Sequence, residues 1–279
     1  MTLPLQTTRE ELVEPRAPAR NKRPVPVSVL AISVITVTVL LGVWAGAAAL
    51  KLVPALFLPS PQTVLQAIVN LATTGFVDAT LAQHTVASLY RIFGALIASL
   101  AIGIPAGLAL GASRLGKGIL DPIVEFLRPL PPLAYLPLII IWVGIGEASK
   151  IVVIALAMLP PIILSTAAGV KAVAPDHLNA ARSFGATRRQ LLQHVILPSA
   201  MPSILTGMRI ALGAGWSTLV AAELVAATRG LGFMIQSAAQ FLVTDIVIAG
   251  IVVIAAIAFV LELAARLVER WLVPWASHR

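Results

Sequence analysis

There is no cysteine among the 279 residues, which excludes disulfides, thiol nucleophiles and cysteine-ligated metals. Charge is almost as scarce: 11% of residues are charged against 58% hydrophobic, and mean hydropathy is +0.95. A soluble domain carries roughly 25% charged residues, so a water-soluble globular enzyme is excluded. The four histidines, His84, His177, His194 and His278, show no i, i+4 pairing, so no metal site is expected. Nucleotide binding is missing too. Gly111-Ala112-Ser113-Arg114-Leu115-Gly116-Lys117 fits the G-x-x-x-x-G-K part of a phosphate-binding loop, but Gly118 stands where the magnesium-binding hydroxyl belongs. No cofactor is implied.

The few charges come in clumps, and the neutral stretches between them carry the architecture. A helix crossing the hydrocarbon core needs about 20 mostly apolar residues and must satisfy its backbone internally. No charge lies between Arg23 and Lys51, Arg91 and Arg114, Arg128 and Glu147, or Lys150 and Lys171. A fifth stretch from about Pro198 contains only Arg209 and Glu223, and a sixth from Asp245 is interrupted late by Glu262. The pattern predicts an all-α integral membrane protein with six transmembrane helices, at about 27–50, 87–113, 129–146, 151–170, 199–225 and 246–268. A basic, proline-rich arm (1–26) precedes the membrane domain (27–279), and a loop at 171–198 joins the fourth and fifth spans. The first apolar run exceeds the roughly 7–15 residues of a signal h-region, so it is read as an uncleaved anchor.

With the N-terminus inside, fifteen of the 20 basic residues fall in cytoplasmic segments. The positive-inside rule therefore predicts both termini in the cytoplasm. The net charge of +8 is then an orientation signature; nucleic acid is not an expected partner, because the basic residues are scattered over four separated segments.

Prolines and buried charges point to a pathway. Arg128-Pro129-Leu130-Pro131-Pro132 opens the third span and Pro160-Pro161 falls within the fourth, so both are expected to bend. Irregular backbone at membrane depth is tolerated only in protein or along a cavity; packing kinks without a transport role are the alternative. Arg209 and Glu262 are expected to pair, since a mid-bilayer charge costs roughly 2.5–3.5 kcal/mol. Trp216, Ser217, Thr218 and Glu223 form a candidate polar stripe lining a translocation pathway, or a helix–helix contact. His84 and Arg91, near the outer start of the second span, are either substrate-facing or interfacial polar groups.

The loop at 171–198 reads as two short helices. Asp176 is the expected N-cap, the first helix runs through Leu178, Ala181 and Phe184, and Gly185 stops it. Thr187 and Gln190 fit a capping box, and Pro198 closes the unit. Ala180-Ala181, Gly185, Val195, Leu197 and Pro198 resemble the E-A-A, three residues, G, nine residues, I-x-L-P loop of binding-protein-dependent ABC importer permeases, with Asn179 in place of the usual Glu. In that family the loop couples to the ATPase, which implies that role for Asn179, Ala180, Ala181, Phe184, Gly185, Leu197 and Pro198. Phe57-Leu58-Pro59-Ser60-Pro61, Arg128-Pro129-Leu130-Pro131-Pro132 and Gly230-Leu231-Gly232-Phe233 are similar to the nitrate, sulfonate and bicarbonate branch, and residues 215–229 resemble its taurine permeases.

The resemblance implies a type I ABC importer permease in a bacterial inner membrane. It also implies a second permease copy, two ATPase subunits and a periplasmic substrate-binding protein that delivers taurine or another sulfonate; nitrate is an alternative cargo. A secondary transporter or channel would be expected to show inverted repeats or paired intramembrane carboxylates, and the sequence has neither.

Overall fold

The computed structural model describes residues 29–275; the predicted arm at 1–26 lies outside them, as does His278. The chain divides into two units, one ending at Val43 and one beginning at Trp44. The first holds most of α1 (Val29–Ala49), a 21-residue helix with mean hydropathy 2.0 from Ala31 to Ala49. The second unit holds the remaining helices.

Its first three helices begin where a side chain satisfies an orphan N–H group of the first turn. Ser60 caps α2 (Pro61–Thr73), with Pro61 at a first-turn position that needs no donor. Thr80 and Gln83 form a capping box at α3 (Leu81–Ala112), so this span starts six residues before the expected 87 and includes His84 and Arg91. Ser113 ends α3 and caps α4 (Arg114–Leu127). A 3-10 turn (Pro132–Tyr135) leads into α5 (Leu136–Val143). Then come α6 (Glu147–Lys171), α7 (Pro175–Ser183), α8 (Arg188–Gln190), a π-helical turn (Leu191–Ile196), α9 (Leu197–Ala226), α10 (Leu231–Gln240) and α11 (Thr244–Leu272).

Among the described residues five helices, α1 included, are long and apolar enough to cross a membrane, and a sixth crossing exists if α4 and the Pro132–Val143 segment, bent by 93°, count as one. The bend expected at the start of the third span thus falls between these two segments. Prolines 129, 131, 132 and 137 remove backbone donors and bias the residues before them away from helix. The expected cytoplasmic segment between the second and third spans is itself helical.

Two expectations for the 171–198 loop also change. Pro175 occupies the first turn of α7, so Ala174 is the N-cap and Asp176 sits inside the helix. Nor does Pro198 close a separate unit. Leu197 N–H reaches back five residues to the Leu192 carbonyl, and this π turn carries α8 into α9 without a break.

The core lies where α3, α6 and α9 meet, around Ile92, Ala95, Ile154, Met158, Ile162, Ala211 and Leu219. Small residues allow that approach, as in membrane helix pairs generally. Gly103, Gly107 and Gly111 repeat every four residues along one face of α3. A Cβ on them would lie 2.7 Å from Ile162, 2.5 Å from Thr166 and 2.7 Å from Val170 of α6. Gly207 and Gly215 let α9 approach Ser165 and Met158 of α6 in the same way. The two arms of the broken span use different halves of α6: Val124 of α4 packs with Ile163 and Ala167, and Leu136 and Ile139 with Val153. The break at Arg128 is therefore held beside the middle of α6.

Candidate translocation site and coupling loop

Arg91 is 2% exposed and anchors a polar knot at one end of the bundle. Its Nε and Nη2 donate to the two Glu147 carboxylate oxygens at 2.5 and 2.8 Å. Its Nη1 donates to Glu223 Oε1 at 2.6 Å and to the Arg229 carbonyl at 2.8 Å. Lys150 Nζ donates to Glu147 at 2.9 Å. Two cations face two carboxylates, so the knot is charge-balanced.

The same knot caps α10. Glu223 accepts the Gly232 N–H at 2.8 Å and the Ser88 hydroxyl at 2.7 Å. Ser88 accepts the Leu231 N–H at 3.0 Å. His84 Nδ1 accepts the Gly230 N–H at 3.1 Å, which leaves Nε2–H to donate to the Phe76 carbonyl at 3.1 Å. Gly230 has φ +136°, and a Cβ there would lie 2.5 Å from the Glu223 carboxyl carbon, so only glycine fits.

Glu223 and Arg91 are thus hydrogen-bonded to each other, and Glu223 and His84 to the start of α10. The four stripe candidates do not share one surface. Trp216 is buried in the core, Ser217 is exposed, Thr218 is buried facing a groove, and Glu223 sits in the knot. Consecutive helical residues are about 100° apart, so Trp216, Ser217 and Thr218 fan around α9.

Arg209 lies where the charge-cost argument placed it, with Nη2 2.5 Å from Glu262 Oε1. Its Nη1 also binds Glu269 Oε2 at 2.9 Å, which was not anticipated. Glu262 and Glu269 are seven residues apart on α11, two turns along one face, and that spacing was the available signal.

A groove of about 580 Å³ opens between the broken span, α6 and α9. Arg128, Tyr135, Pro160, Pro161, Ser165 and Thr218 are among its lining residues. Both proline signals therefore meet at one cavity, although α6 stays helical through Pro160 and Pro161.

In the loop, Asn179, Ala180 and Phe184 are exposed, Phe184 at 93%. Ala181 is half-buried, and Gly185 takes φ +80°, the left-handed stop its sequence position predicted. The Thr187–Gln190 capping box forms as expected. Leu197 and Pro198 are half-buried, and Leu197 packs against Val170, Ala200 and Ile204, so they tie the loop to the spans. The phosphate-loop look-alike is a helix junction: Ser113 Oγ accepts the Gly116 N–H at 2.9 Å.

Membrane-length apolar helices around a groove beside the middle of α6, with an exposed helical loop, fit a transport permease. Residues 99–274 match the family model for the binding-protein-dependent transport system inner membrane component, and the chain belongs to that family. It is 59% identical over 245 residues to the taurine transport system permease protein TauC of Escherichia coli, covering 88% of this chain and 89% of that protein. It is 35% identical over 200 residues to the bicarbonate transport system permease protein CmpB of Synechococcus elongatus, covering 71% and 72%. The fold matches the MetNI methionine ABC transporter in an inward-facing conformation, with TM-score 0.62 at 21% identity over 69% of this chain and 95% of that one.

The chain is an inner-membrane permease subunit of the nitrate, sulfonate and bicarbonate branch of ABC importers, with a type I importer fold, and not an enzyme. Importers of this kind work with an ATPase and a substrate-binding protein.

Proposed function

We propose that the permease carries taurine, or a closely related aliphatic sulfonate, across the inner membrane. Identity of 59% over 245 residues to the taurine permease carries this reading. Two copies form the pathway, with both termini and the 171–198 loop on the cytoplasmic side, where fourteen of the 20 basic residues fall once Arg128 is assigned to the break in the third span. The six spans follow the expected organisation except the third, which is built from α4 and α5 and so begins before the expected 129.

Coupling runs through α7. Phe184 offers an aromatic anchor to the ATPase, and exposed aromatics of this kind dominate interface energy. Asn179, Ala180 and Ala181 form the surface around it, and Gly185 sets the turn that presents it. Leu197 and Pro198 pass the movement into α9, since the π turn joins loop and span as one helix. ATP closes the paired ATPases, the loops follow, and the groove between the broken span and α9 exchanges inward for outward access. Thr218 is the one residue of the expected pathway stripe that lines this groove. Cargo biases the exchange only by binding the two states differently.

The permease is reconstituted with its ATPase and binding protein, and uptake of labelled taurine is followed. ATP-dependent uptake is the expected result, and uptake that persists without ATP refutes the importer reading. Preference for nitrate or another anion overturns only the cargo. Mass measurement of the intact complex gives two permeases and two ATPases.

A further inference from the structure

We propose that Arg128 binds the anionic end of the cargo at mid-membrane, in a groove whose freed carbonyls and hydroxyls take the ammonium end. This deepens the sulfonate reading and rests on it.

Three observations carry the proposal. The first is charge. Arg91 is the only basic residue of α3 and Arg209 the only one of α9, and each is held by two carboxylates. Arg128 sits at the break beside the middle of α6, and among the described residues its guanidinium takes part in no ion pair or hydrogen bond; only its backbone N–H is bonded, to the Val124 carbonyl at 2.9 Å. Arg128 is exposed to the groove instead. An ionised side chain at membrane depth normally pairs or faces a water-filled pathway, and within this chain only the pathway remains.

The second is the supply of acceptors. Proline has no N–H, so Pro160 and Pro161 deprive the Leu156 and Ala157 carbonyls of their helical donors four residues on. Both residues line the groove. The third is the supply of neutral donors. The hydroxyls of Tyr135 and Ser165 also line it, and neither has a hydrogen-bond partner among the described residues. A broken span at the midplane is where membrane carriers place their sites.

The chemistry is that of a zwitterion. A sulfonate is a three-oxygen anion that a guanidinium meets with two parallel N–H groups, and the hydroxyls supply further donors. An ammonium has three N–H groups and no acceptor, which suits carbonyls and not Arg128. An exposed arginine binds weakly, as a carrier needs, because cargo must leave as readily as it enters.

The absence of native cysteine makes the test specific. Arg128→Gln, Arg128→Lys and Arg128→Cys are each assembled with the ATPase and binding protein in vesicles of phosphatidylcholine alone, so that no anionic lipid is present. Taurine uptake and ATPase activity stimulated by the loaded binding protein are both measured. Arg128→Gln should lower uptake about tenfold or more, the scale of one charge-assisted hydrogen bond, while stimulated ATPase activity persists; Arg128→Lys should retain an intermediate rate. Treating Arg128→Cys with an aminoethyl thiosulfonate, which restores a positive charge, should recover uptake. A sulfonatoethyl reagent should not, and the cysteine-free wild-type chain gives the background.

Unchanged uptake in Arg128→Gln overturns the proposal, as does equal recovery by both reagents. Loss of uptake and stimulated ATPase together overturns it in favour of a structural role. A charge requirement that appears only when anionic lipid is added assigns the site to a lipid headgroup and overturns it too. Wild-type uptake that ignores ATP would instead overturn the importer reading, so the two failures are distinguishable.

Discussion

Replacing Glu223 with alanine separates a structural knot from a pathway residue. In the folded chain its carboxylate accepts three hydrogen bonds, from Arg91 at 2.6 Å, Ser88 at 2.7 Å and the Gly232 N–H at 2.8 Å. Its side chain has no exposed surface, and Arg91 is 2% exposed. Truncation therefore strands three buried donors, one of them charged. Hydrogen bonds to charged groups contribute about 1.5–3 kcal/mol each, so the separate losses total several kcal/mol. Arg91 keeps Glu147 and the Arg229 carbonyl, and water can enter the truncated space, which returns part of that. Breaking a buried pair by removing one partner costs about 3–5 kcal/mol, so about 4 kcal/mol is expected here. For a chain of this size that is a fall in melting temperature on the order of 10 °C. Thermal unfolding of the purified permease in detergent measures it, and limited proteolysis should show faster cleavage between α9 and α10, because the start of α10 loses its cap. A variant that unfolds within about 2 °C of wild type yet transports poorly would refute the knot and restore Glu223 to the pathway.

Other variants follow the same logic. Gly107→Val should destabilise the bundle by about 1–3 kcal/mol or more through overpacking, because a Cβ there meets Thr166 at 2.5 Å and the Ile163 backbone carbonyl at 2.7 Å; detergent melting curves report it. Exchanging charges in Arg209→Glu with Glu262→Arg should recover expression above either single change but below wild type, since the new carboxylate at 209 faces Glu269. Full recovery would show that Glu269 contributes nothing, and no recovery would refute the pairing. Phe184→Ala should leave the melting temperature unchanged, as the side chain is 93% exposed, while weakening co-purification of the ATPase about tenfold or more, the scale of an interface hot spot. A fall in melting temperature with intact ATPase binding would refute the coupling role.

The residues that were legible in the sequence share a physical property: their behaviour is decided within a few residues. Apolar length marks membrane helices because the bilayer tests each span separately. The Thr187–Gln190 box and the Gly185 stop follow from backbone groups one turn away. Asp176 shows the limit of such rules, since Pro175 fits the first turn so well that the cap moved to Ala174. Arg209 was half legible. The cost of an intramembrane charge demanded a carboxylate, and Glu262 lay at the right depth, but Glu269 emerged only with the face that α11 turns inward. For Glu223 the sequence left two readings open, because polarity marks a buried network and a pathway alike.

The sequence alone therefore determined that this is a helical membrane protein with a capped helical loop, because apolar length, charge spacing and local caps are properties of short segments, while the loop's motif carried the resemblance to importer permeases. Tertiary structure decided which charges are spent on one another. Arg91 and Glu223 are 132 residues apart, and only the close packing of α3, α6 and α9 brings them together. The same packing set Arg128, on a span broken by its prolines, beside the two prolines of α6. The bilayer makes each charge seek a partner, but helix packing chooses the partner.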